Sequence, residues 1–415
     1  MTSWKKETII YEIFVRVFST GGNFSGIREK ISYLKELGIN LVWLMPIYPI
    51  SSTNRKGLLG SPYALSGHTE IHPDLGNKEE FQQLVKELHK NDIRLIIDWE
   101  TNYTGWDHPW LKEHPEWYQK DENGKIISPH RQWWDVARLN FQNENLVAEM
   151  LDCMKYWIEN FGVDGFRCDM AGDMLGRNAA DYWQYVAEEL RRLNPDLFLL
   201  AEWEDPKLHP SFDLTYDWKL FHTYQDVYNG QKSPKEILNN YFAQLKEFSP
   251  HTRLRFLENH DERRAREYFG PKFSRLFSAL IFSLPGVPLI YNGQEWGESE
   301  RPSHFDYWKI NWERRDEELL KFYQQLIKIR RENSCLTEGE LLSLDKHLPE
   351  NFLGFLRQEN PETIIYLANF SSRTETINLS NILTKNYLTN LLTGEKLLSQ
   401  KISLAAEDFL LARLW

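Results

Sequence analysis

Residues 162–170 have the sequence G-V-D-G-F-R-C-D-M. Apolar side chains alternate in it with Arg167 and Asp169, and this period of two predicts a β-strand. Residues 146–161 carry apolar side chains at helical spacing, so a helix leads into the strand. The two charged side chains point to the same side, where charge is costly unless it is paired or used. On its own, the stretch fits a structural salt bridge as well as a functional site.

Two further apolar runs end in carboxylates. Residues 197–200 are followed by Ala-Glu-Trp, which contains Glu202 and Trp203, and residues 253–257 are followed by Glu-Asn-His-Asp at 258–261. Helical segments separate the three strands. In a barrel of parallel strands every carboxyl end lies on one face, and that face carries the chemistry. Three acids, an arginine and a histidine are therefore predicted to meet at one mouth.

These motifs resemble the α-amylase superfamily of glycoside hydrolases, glycoside hydrolase family 13. G-F-R-C-D, A-E-W and E-N-H-D match three of its short motifs, in the family's order. The fourth motif, D-x-x-x-N-H, is matched by Asp98-Trp-Glu-Thr-Asn-Tyr103, with Tyr103 where the family has His. The resemblance implies an α/β fold: a (β/α)₈ TIM barrel with a short domain B excursion after strand 3 and a C-terminal antiparallel β-sandwich domain.

The order of elements along the chain agrees with that fold. Eight strands alternate with helices in a catalytic barrel predicted over residues 1–332, and the strands are placed at 9–18, 41–45, 94–97, 162–170, 197–200, 212–218, 253–257 and 288–291. Residues 101–140 are too long for an ordinary connection and are assigned to the domain B excursion. Residues 333–415 are predicted to form the β-sandwich domain, since strand-like runs lie at 352–356, 363–370, 374–379 and 409–415 without a helical period between them.

Composition limits the partners. Sixty acidic and 49 basic residues give a net charge of -11, which argues against nucleic acid or an anionic membrane. The cysteines, Cys153, Cys168 and Cys335, are widely spaced and are predicted to be buried free thiols. The N-terminal residues lack a basic segment followed by a long apolar run, so we expect no signal peptide, no membrane span and a cytoplasmic location. Oligomeric state is left open.

The resemblance implies the catalytic roles. Retaining hydrolysis needs a carboxylate nucleophile and a protonated carboxylic acid roughly 5 Å apart. By the motif match, Asp169 is the nucleophile and Glu202 the acid/base, which a neighbouring carboxylate and partial burial help to keep protonated. Asp261 is the third catalytic carboxylate and binds sugar hydroxyls more strongly as the ring flattens. Arg167 holds Asp169 ionised by charge and hydrogen bonding.

The same match implies a set of substrate-binding residues. Tyr63, in Ser61-Pro62-Tyr63, is the candidate platform on which the sugar beside the scissile bond stacks. Without the family resemblance, the same residues would indicate a tyrosine in a turn that packs on the rim of the barrel. His260 would donate a hydrogen bond to that sugar. The set consists of Tyr63, Asp98, Tyr103, Arg167, Trp203, Asn259 and His260.

The departures from the family pattern concern the sugar pocket. Tyr103 replaces the family's His, and Gly67-His68 stands where the family has Asp-Tyr. They imply either a substrate other than the usual α-1,4-linked glucose chain, or an activity that is weaker or shifted towards transfer. Asn102 matches a position that helps bind calcium in many members, but the short excursion offers few oxygen ligands, so we expect a structural Asn and no metal or cofactor.

The sequence therefore predicts a retaining α-glycosidase that hydrolyses α-glucans or malto-oligosaccharides through a covalent glycosyl-enzyme intermediate. The alternatives are a transglycosylase, glucanotransferase or isomerising glucosyl enzyme of the same superfamily, and a non-catalytic carbohydrate-binding homologue. The intact Asp169, Glu202 and Asp261 argue against the last. Linkage, chain length and endo or exo action are left open.

Overall fold

The structure, a computed structural model, describes residues 3–249, 252–380, 382–383, 385 and 387–415. The strands are β1 Ile10–Ile13, β2 Leu41–Leu44, β3 Arg94–Trp99, β4 Tyr103–Gly105, β5 Val136–Arg138, β6 Gly165–Cys168, β7 Phe198–Ala201, β8 Leu214–Tyr216, β9 Arg253–Arg255, β10 Val287–Tyr291, β11 Glu340–Ser343, β12 Phe352–Glu359, β13 Glu362–Asn369, β14 Glu375–Asn378, β15 Tyr387–Asn390, β16 Lys396–Leu398, β17 Lys401–Leu404 and β18 Asp408–Leu414.

The α-helices are α1 Ser3–Lys6, α2 Val15–Phe18, α3 Phe24–Arg28, α4 Ile31–Leu37, α5 Lys78–Lys90, α6 Trp110–Glu113, α7 Glu144–Phe161, α8 Ala179–Leu193, α9 Trp218–Tyr228, α10 Glu236–Gln244, α11 Ala265–Ser283, α12 Glu317–Glu332 and α13 Ser334–Thr337. None of the described helices is long and apolar enough to cross a membrane.

Eight of the strands form a closed barrel in the order β1-β10-β9-β8-β7-β6-β3-β2, which confirms the predicted (β/α)₈ arrangement. The strand pairs β1-β2, β2-β3, β3-β6, β6-β7 and β7-β8 are parallel. Gly165 opens β6 with φ 157°, and a Cβ there would lie 1.8 Å from the carbonyl oxygen of Phe198. A glycine at this position therefore lets β6 approach β7 closely enough to pair.

The helices around the barrel begin and end at the expected signals. The Asn77 side chain accepts a hydrogen bond from the amide of Glu80, and the Glu80 side chain accepts one from the amide of Asn77, so α5 begins with a capping box. Its buried face consists of Phe81, Leu84, Val85 and Leu88. Helix α4 ends at Gly38, which has the left-handed conformation (φ 96°).

The chain divides into two compact units. One consists of residues 10–216 and 301–312, and it contains β1 to β8, including the β4-β5 hairpin of the excursion. The other contains β9, β10 and the C-terminal sheets, a six-stranded sheet in the order β11-β12-β13-β18-β15-β16 and the antiparallel pair β14-β17. Apolar side chains of these sheets, among them Phe352, Ile365, Leu388 and Leu410, share one core. The predicted domain boundary after residue 332 stays a prediction.

Several element boundaries differ from the sequence prediction. The strand predicted over residues 9–18 ends at Ile13, because the chain turns into α2, where the amide of Phe18 donates to the carbonyl of Phe14 (3.0 Å). The strand predicted over residues 212–218 ends at Tyr216, because the Asp217 side chain accepts from the amide of Leu220 and caps α9. The short strands β11, β15, β16 and β17 were not predicted. All three cysteines are free and buried, as predicted.

Candidate active site

Neighbouring barrel strands bring the first group of candidate residues together. Asp98 on β3 is paired in register with Arg167 on β6. Asp169 follows β6 directly, and Glu202 follows Ala201, the last residue of β7. Because β3, β6 and β7 run parallel, these side chains lie at one end of the strands.

The Arg167 guanidinium is the centre of this group. Its Nη1 lies 3.1 Å from Asp98 Oδ1 and 2.5 Å from Asp169 Oδ1, and its Nη2 lies 2.8 Å from Glu202 Oε1. The Arg167 and Asp98 side chains have no exposed surface, while those of Asp169 and Glu202 are each 12% exposed. The Asp169 and Glu202 carboxylates are thus held by different nitrogens of one buried cation and are still open to solvent.

Charge compensates the burial of this arginine. Burial acts to lower the pKa of Arg167, but the negative charges of Asp98 and Glu202 outweigh it and raise that pKa well above its ordinary value. The guanidinium carbon also lies 5.0 Å from the ring centroid of Trp43 and 5.7 Å from that of Tyr216. Aromatic faces on a cation add favourable electrostatic contact in a dry site.

The predicted sugar platform lies at the same cluster. The Tyr63 hydroxyl donates to Asp98 Oδ2 (3.2 Å), and Trp43 Nε1 donates to the same oxygen (3.1 Å). The Tyr48 hydroxyl donates to the backbone carbonyl of Asp98 (2.9 Å). Tyr63 is half-buried, so its ring keeps an exposed part beside the acids.

In the turn after Asp169, a backbone amide donates a hydrogen bond to Glu202. Met170 has φ 40°, a left-handed conformation that is rare for a residue other than glycine. Its amide donates to Glu202 Oε2 (3.0 Å). Strained backbone of this kind concentrates at functional sites, where it positions particular groups.

The two departures from the family pattern are both buried. The Tyr103 hydroxyl donates to Asp173 Oδ2 (2.8 Å), whose other oxygen pairs with Arg138 (2.7 Å), and 4% of Tyr103 is exposed. Burial, followed by this hydrogen bond, raises the pKa of Tyr103. His68 stacks on Trp110 at 4.5 Å, and burial lowers its pKa well below the ordinary value, so it is neutral.

Asn102 connects two of the strand ends. Its Nδ2 donates to the carbonyl of Met170 (3.1 Å), and its Oδ1 is buried without a hydrogen-bond partner among the described residues. Within that part of the chain no three His, Cys, Asp or Glu side chains are grouped so that they could hold a metal ion. One free amide oxygen falls short of the six to eight ligands that Ca²⁺ takes. Independence from calcium stays a prediction.

The third motif forms a local cluster after β9, in the other unit. His260 is fully buried, and its Nε2 lies 3.2 Å from Asp261 Oδ2, whose side chain is 48% exposed. Asn259 Oδ1 accepts from the amides of Asp261 (2.9 Å) and Glu262 (3.0 Å). Asn259 thus shapes the turn that presents Asp261.

Trp203 is half-buried against the backbone of the loop that follows Asp169. A Cβ at Gly172 would lie 2.1 Å from the Trp203 indole, so the ring rests on this glycine. The indole therefore connects the loop after β6 to the strand end that carries Glu202.

Sequence reasoning missed Glu100, which is 1% exposed. It lies two residues after Asp98, and the period of two along β3 could have placed it on the same face. Its Oε1 accepts from the amides of Asn102 (2.8 Å) and Tyr103 (3.2 Å). Burial, and then the charge of the neighbouring Asp169 carboxylate, raise the pKa of Glu100 well above its ordinary value.

A cavity of about 650 Å³ in the same unit was also not predicted. Tyr48 and Pro62 form part of its lining. The Tyr48 hydroxyl donates to the carbonyl of Asp98, and Pro62 directly precedes Tyr63 in the sequence. Charged and aromatic side chains complete the lining, among them Arg16, Arg55, Asp74, Asp306, Tyr307 and Trp308. Such a mixture suits a ligand with both hydroxyl groups and apolar faces.

Comparisons with known proteins agree with this architecture. The sequence model of the alpha-amylase catalytic domain matches residues 5–135 and 129–313. Alpha-amylase 2 of Dictyoglomus thermophilum is 29% identical over 442 residues, covering 94% of this chain and 74% of that protein. The intracellular maltogenic amylase of Bacillus subtilis (strain 168) is 24% identical, covering 91% of this chain and 71% of that protein. The crystal structure of an alpha-amylase from Lactobacillus plantarum superposes with a TM-score of 0.90 at 28% identity, covering 99% of both chains.

Proposed function

We infer that this chain, which belongs to the alpha-amylase family, is a retaining α-glycosidase that hydrolyses α-glucosidic bonds in α-glucans or malto-oligosaccharides. The observation that carries this is the shared guanidinium of Arg167, which contacts Asp169 through Nη1 and Glu202 through Nη2. Two carboxyl groups held this way are close neighbours, as the retaining mechanism requires of its nucleophile and acid. The names of the relatives, amylases and a maltogenic amylase, support the substrate class.

The chemistry proceeds in two steps. Asp169 attacks the anomeric carbon while Glu202 gives its proton to the oxygen of the departing sugar, and a glycosyl-enzyme ester forms. Glu202 then takes a proton from water, the water oxygen attacks the anomeric carbon, and Asp169 leaves. Arg167 stabilises Asp169 as an anion before attack and again as it departs.

Further residues are assigned to substrate binding. Tyr63, which already donates to Asp98, offers its exposed ring edge to the sugar beside the scissile bond. On the basis of the motif match, we assign Asp261 as the third catalytic carboxylate and His260 as a sugar-binding residue beside it. The cavity next to Tyr48 would take further sugar units of the same chain.

Product analysis on maltoheptaose tests this function. Shorter sugars with the retained anomeric form, observed by NMR, are expected; longer sugars would identify a transglycosylase, and an unchanged substrate would favour a binding protein. Asp169→Asn and Glu202→Gln should fold normally and lose nearly all turnover, because each removes one partner of the covalent mechanism. Asp181→Asn, the same chemical change at an exposed position of α8, should keep full activity. An inverted product would overturn Asp169 as nucleophile.

A cytoplasmic location is part of the proposal, supported by the relative named as intracellular in Bacillus subtilis. Fractionation of cells that express the natural protein tests it. Activity recovered mainly outside the cytoplasm would contradict it.

A further inference from the structure

Glu100 is a buried carboxyl group that the two-step mechanism leaves unused. Its Oε1 is fixed by the backbone amides of Asn102 and Tyr103, at 2.8 and 3.2 Å. Its Oε2 is buried and receives no donor among the described residues. The amide of Asp169, the proposed nucleophile, donates to the carbonyl of Trp99 (2.9 Å), and the Glu100 carboxyl group lies within hydrogen-bonding reach of the Asp169 carboxylate. The contact thus joins two acidic groups in a dry environment.

A hydrogen bond between two carboxyl groups requires a proton on one of them. Asp169 already has a cation, since Arg167 Nη1 lies 2.5 Å from its Oδ1. The contacts of Arg167 in the described residues reach Asp98, Asp169 and Glu202 but not Glu100. The proton therefore belongs on Glu100, whose Oε2 accepts from no donor in the part of the chain that the structure describes.

The groups that face Glu100 favour this assignment. Asp98 lies on β3, two residues before Glu100. Arg167 lies on β6, Asp169 directly follows it, and Tyr103 begins β4 with its hydroxyl donating to Asp173. Burial together with the negative charges of Asp169 and Asp98 raises the pKa of Glu100. A second ionised carboxylate here would face two others, and like charges at such distances are strongly unfavourable.

We propose that Glu100 is a positioning residue whose protonated carboxyl donates a hydrogen bond to Asp169 and holds this nucleophile in place for attack. The inference rests on the proposed function. Asp169 is then held at two points, by Arg167 and by Glu100, with its remaining exposed surface free for the anomeric carbon. Once Glu100 loses its proton at alkaline pH, the donor disappears and two anions face each other, so turnover falls.

Two variants separate this role from simple packing. Glu100→Gln keeps an amide donor towards Asp169 and an acceptor for the two backbone amides, but it cannot titrate. Glu100→Met fills a similar volume without donor or acceptor. We expect Glu100→Gln to retain kcat within about tenfold, and Glu100→Met to lose kcat by about 10- to 100-fold with KM nearly unchanged. Full kcat in Glu100→Met, or a loss of kcat in Glu100→Gln as large as that in Glu100→Met, would overturn the proposal.

An infrared measurement tests the proton independently of turnover. The difference spectrum between wild type and Glu100→Gln at neutral pH should contain the carbonyl band of a protonated carboxylic acid. Glu122→Gln, at an exposed position, is the control and should give no such band. Absence of the band in the Glu100 pair overturns the proposal even if Glu100→Met does not fold. If the wild type does not turn over maltoheptaose, the proposed function fails, and the band alone decides whether Glu100 carries the proton.

Discussion

Replacing Arg167 by methionine should destabilise the protein by about 3–5 kcal/mol, the usual cost of removing one partner from a buried ion pair. The figure follows from the contacts: a fully buried guanidinium lies 3.1, 2.5 and 2.8 Å from three carboxylates, none of which is more than 12% exposed. Without the cation these acids are left buried and uncompensated. Because about 1.4 kcal/mol corresponds to tenfold, the ratio of folded to unfolded protein should fall by about 10²- to 10⁴-fold.

Denaturant unfolding at neutral pH measures this change, with two comparison variants. Arg192→Met removes a surface arginine that is 69% exposed and paired with Glu189, and it should cost no more than about 1 kcal/mol. Arg167→Lys keeps the charge, but one ammonium cannot replace two nitrogens fixed in a fork, so an intermediate loss is expected. If Arg167→Met unfolds within 1 kcal/mol of Arg192→Met, Arg167 is not the counter-charge of this cluster and the electrostatic reasoning is wrong.

Three further predictions concern the surroundings of the site. Dialysis against a chelator should leave melting temperature and activity unchanged, because no three His, Cys, Asp or Glu side chains of the described residues are grouped to hold a metal ion; a drop restored by calcium would contradict this. Tyr103→His should shift the ratio of the specificity constants for a maltoside and for the enzyme's best substrate by about tenfold. Loss of the hydrogen bond to Asp173 should lower the free energy of unfolding by about 1 kcal/mol. An unchanged ratio would mean that Tyr103 does not affect binding of the sugar. The hydrogen bond to Asp164 raises the pKa of His89 above 6.5. The contribution of protonated His89 to the stability of the fold is therefore complete below pH 6.5 and is lost as the pH rises through the raised pKa. His89→Gln should therefore destabilise the protein more at about pH 6 than at about pH 8.5 in thermal melts, and equal losses at both would refute the linkage.

The fold was predictable because its signals are local and repeated. Most barrel strands are short, largely apolar runs between helical patterns, and helix ends such as Gly38 and the Asn77–Glu80 capping box can be recognised from neighbouring residues. The boundaries were less certain where apolar residues continue past a strand. Residues 14–18 are as apolar as β1 itself, and only the helical hydrogen bond from Phe18 to Phe14 ends the strand at Ile13.

The candidate site was predictable where side chains of fixed spacing share a strand, and less so where burial decides. Arg167 and Asp169, two residues apart, contact each other as their spacing implied. Glu100 has the same spacing from Asp98, yet it occupies an unspecified position of the motif D-x-x-x-N-H, so the motif match drew no attention to it. Its importance depends on being 1% exposed and beside Asp169, and neither property is written in the local sequence.

The turn from Glu100 to Tyr103 shows why one changed residue cannot be interpreted alone. The amide of Tyr103 donates to Glu100 Oε1, and the hydroxyl of Tyr103 donates to Asp173 in the loop after the nucleophile. Tyr103 thus helps to fix Glu100 Oε1 and ties the turn to the Asp169 loop. A substitution at Tyr103 therefore acts on the sugar pocket and, through the turn, on the hydrogen bond that holds Asp169. If Glu100→Gln and Tyr103→His are combined, their effects on kcat should be non-additive, since residues in one hydrogen-bond network couple.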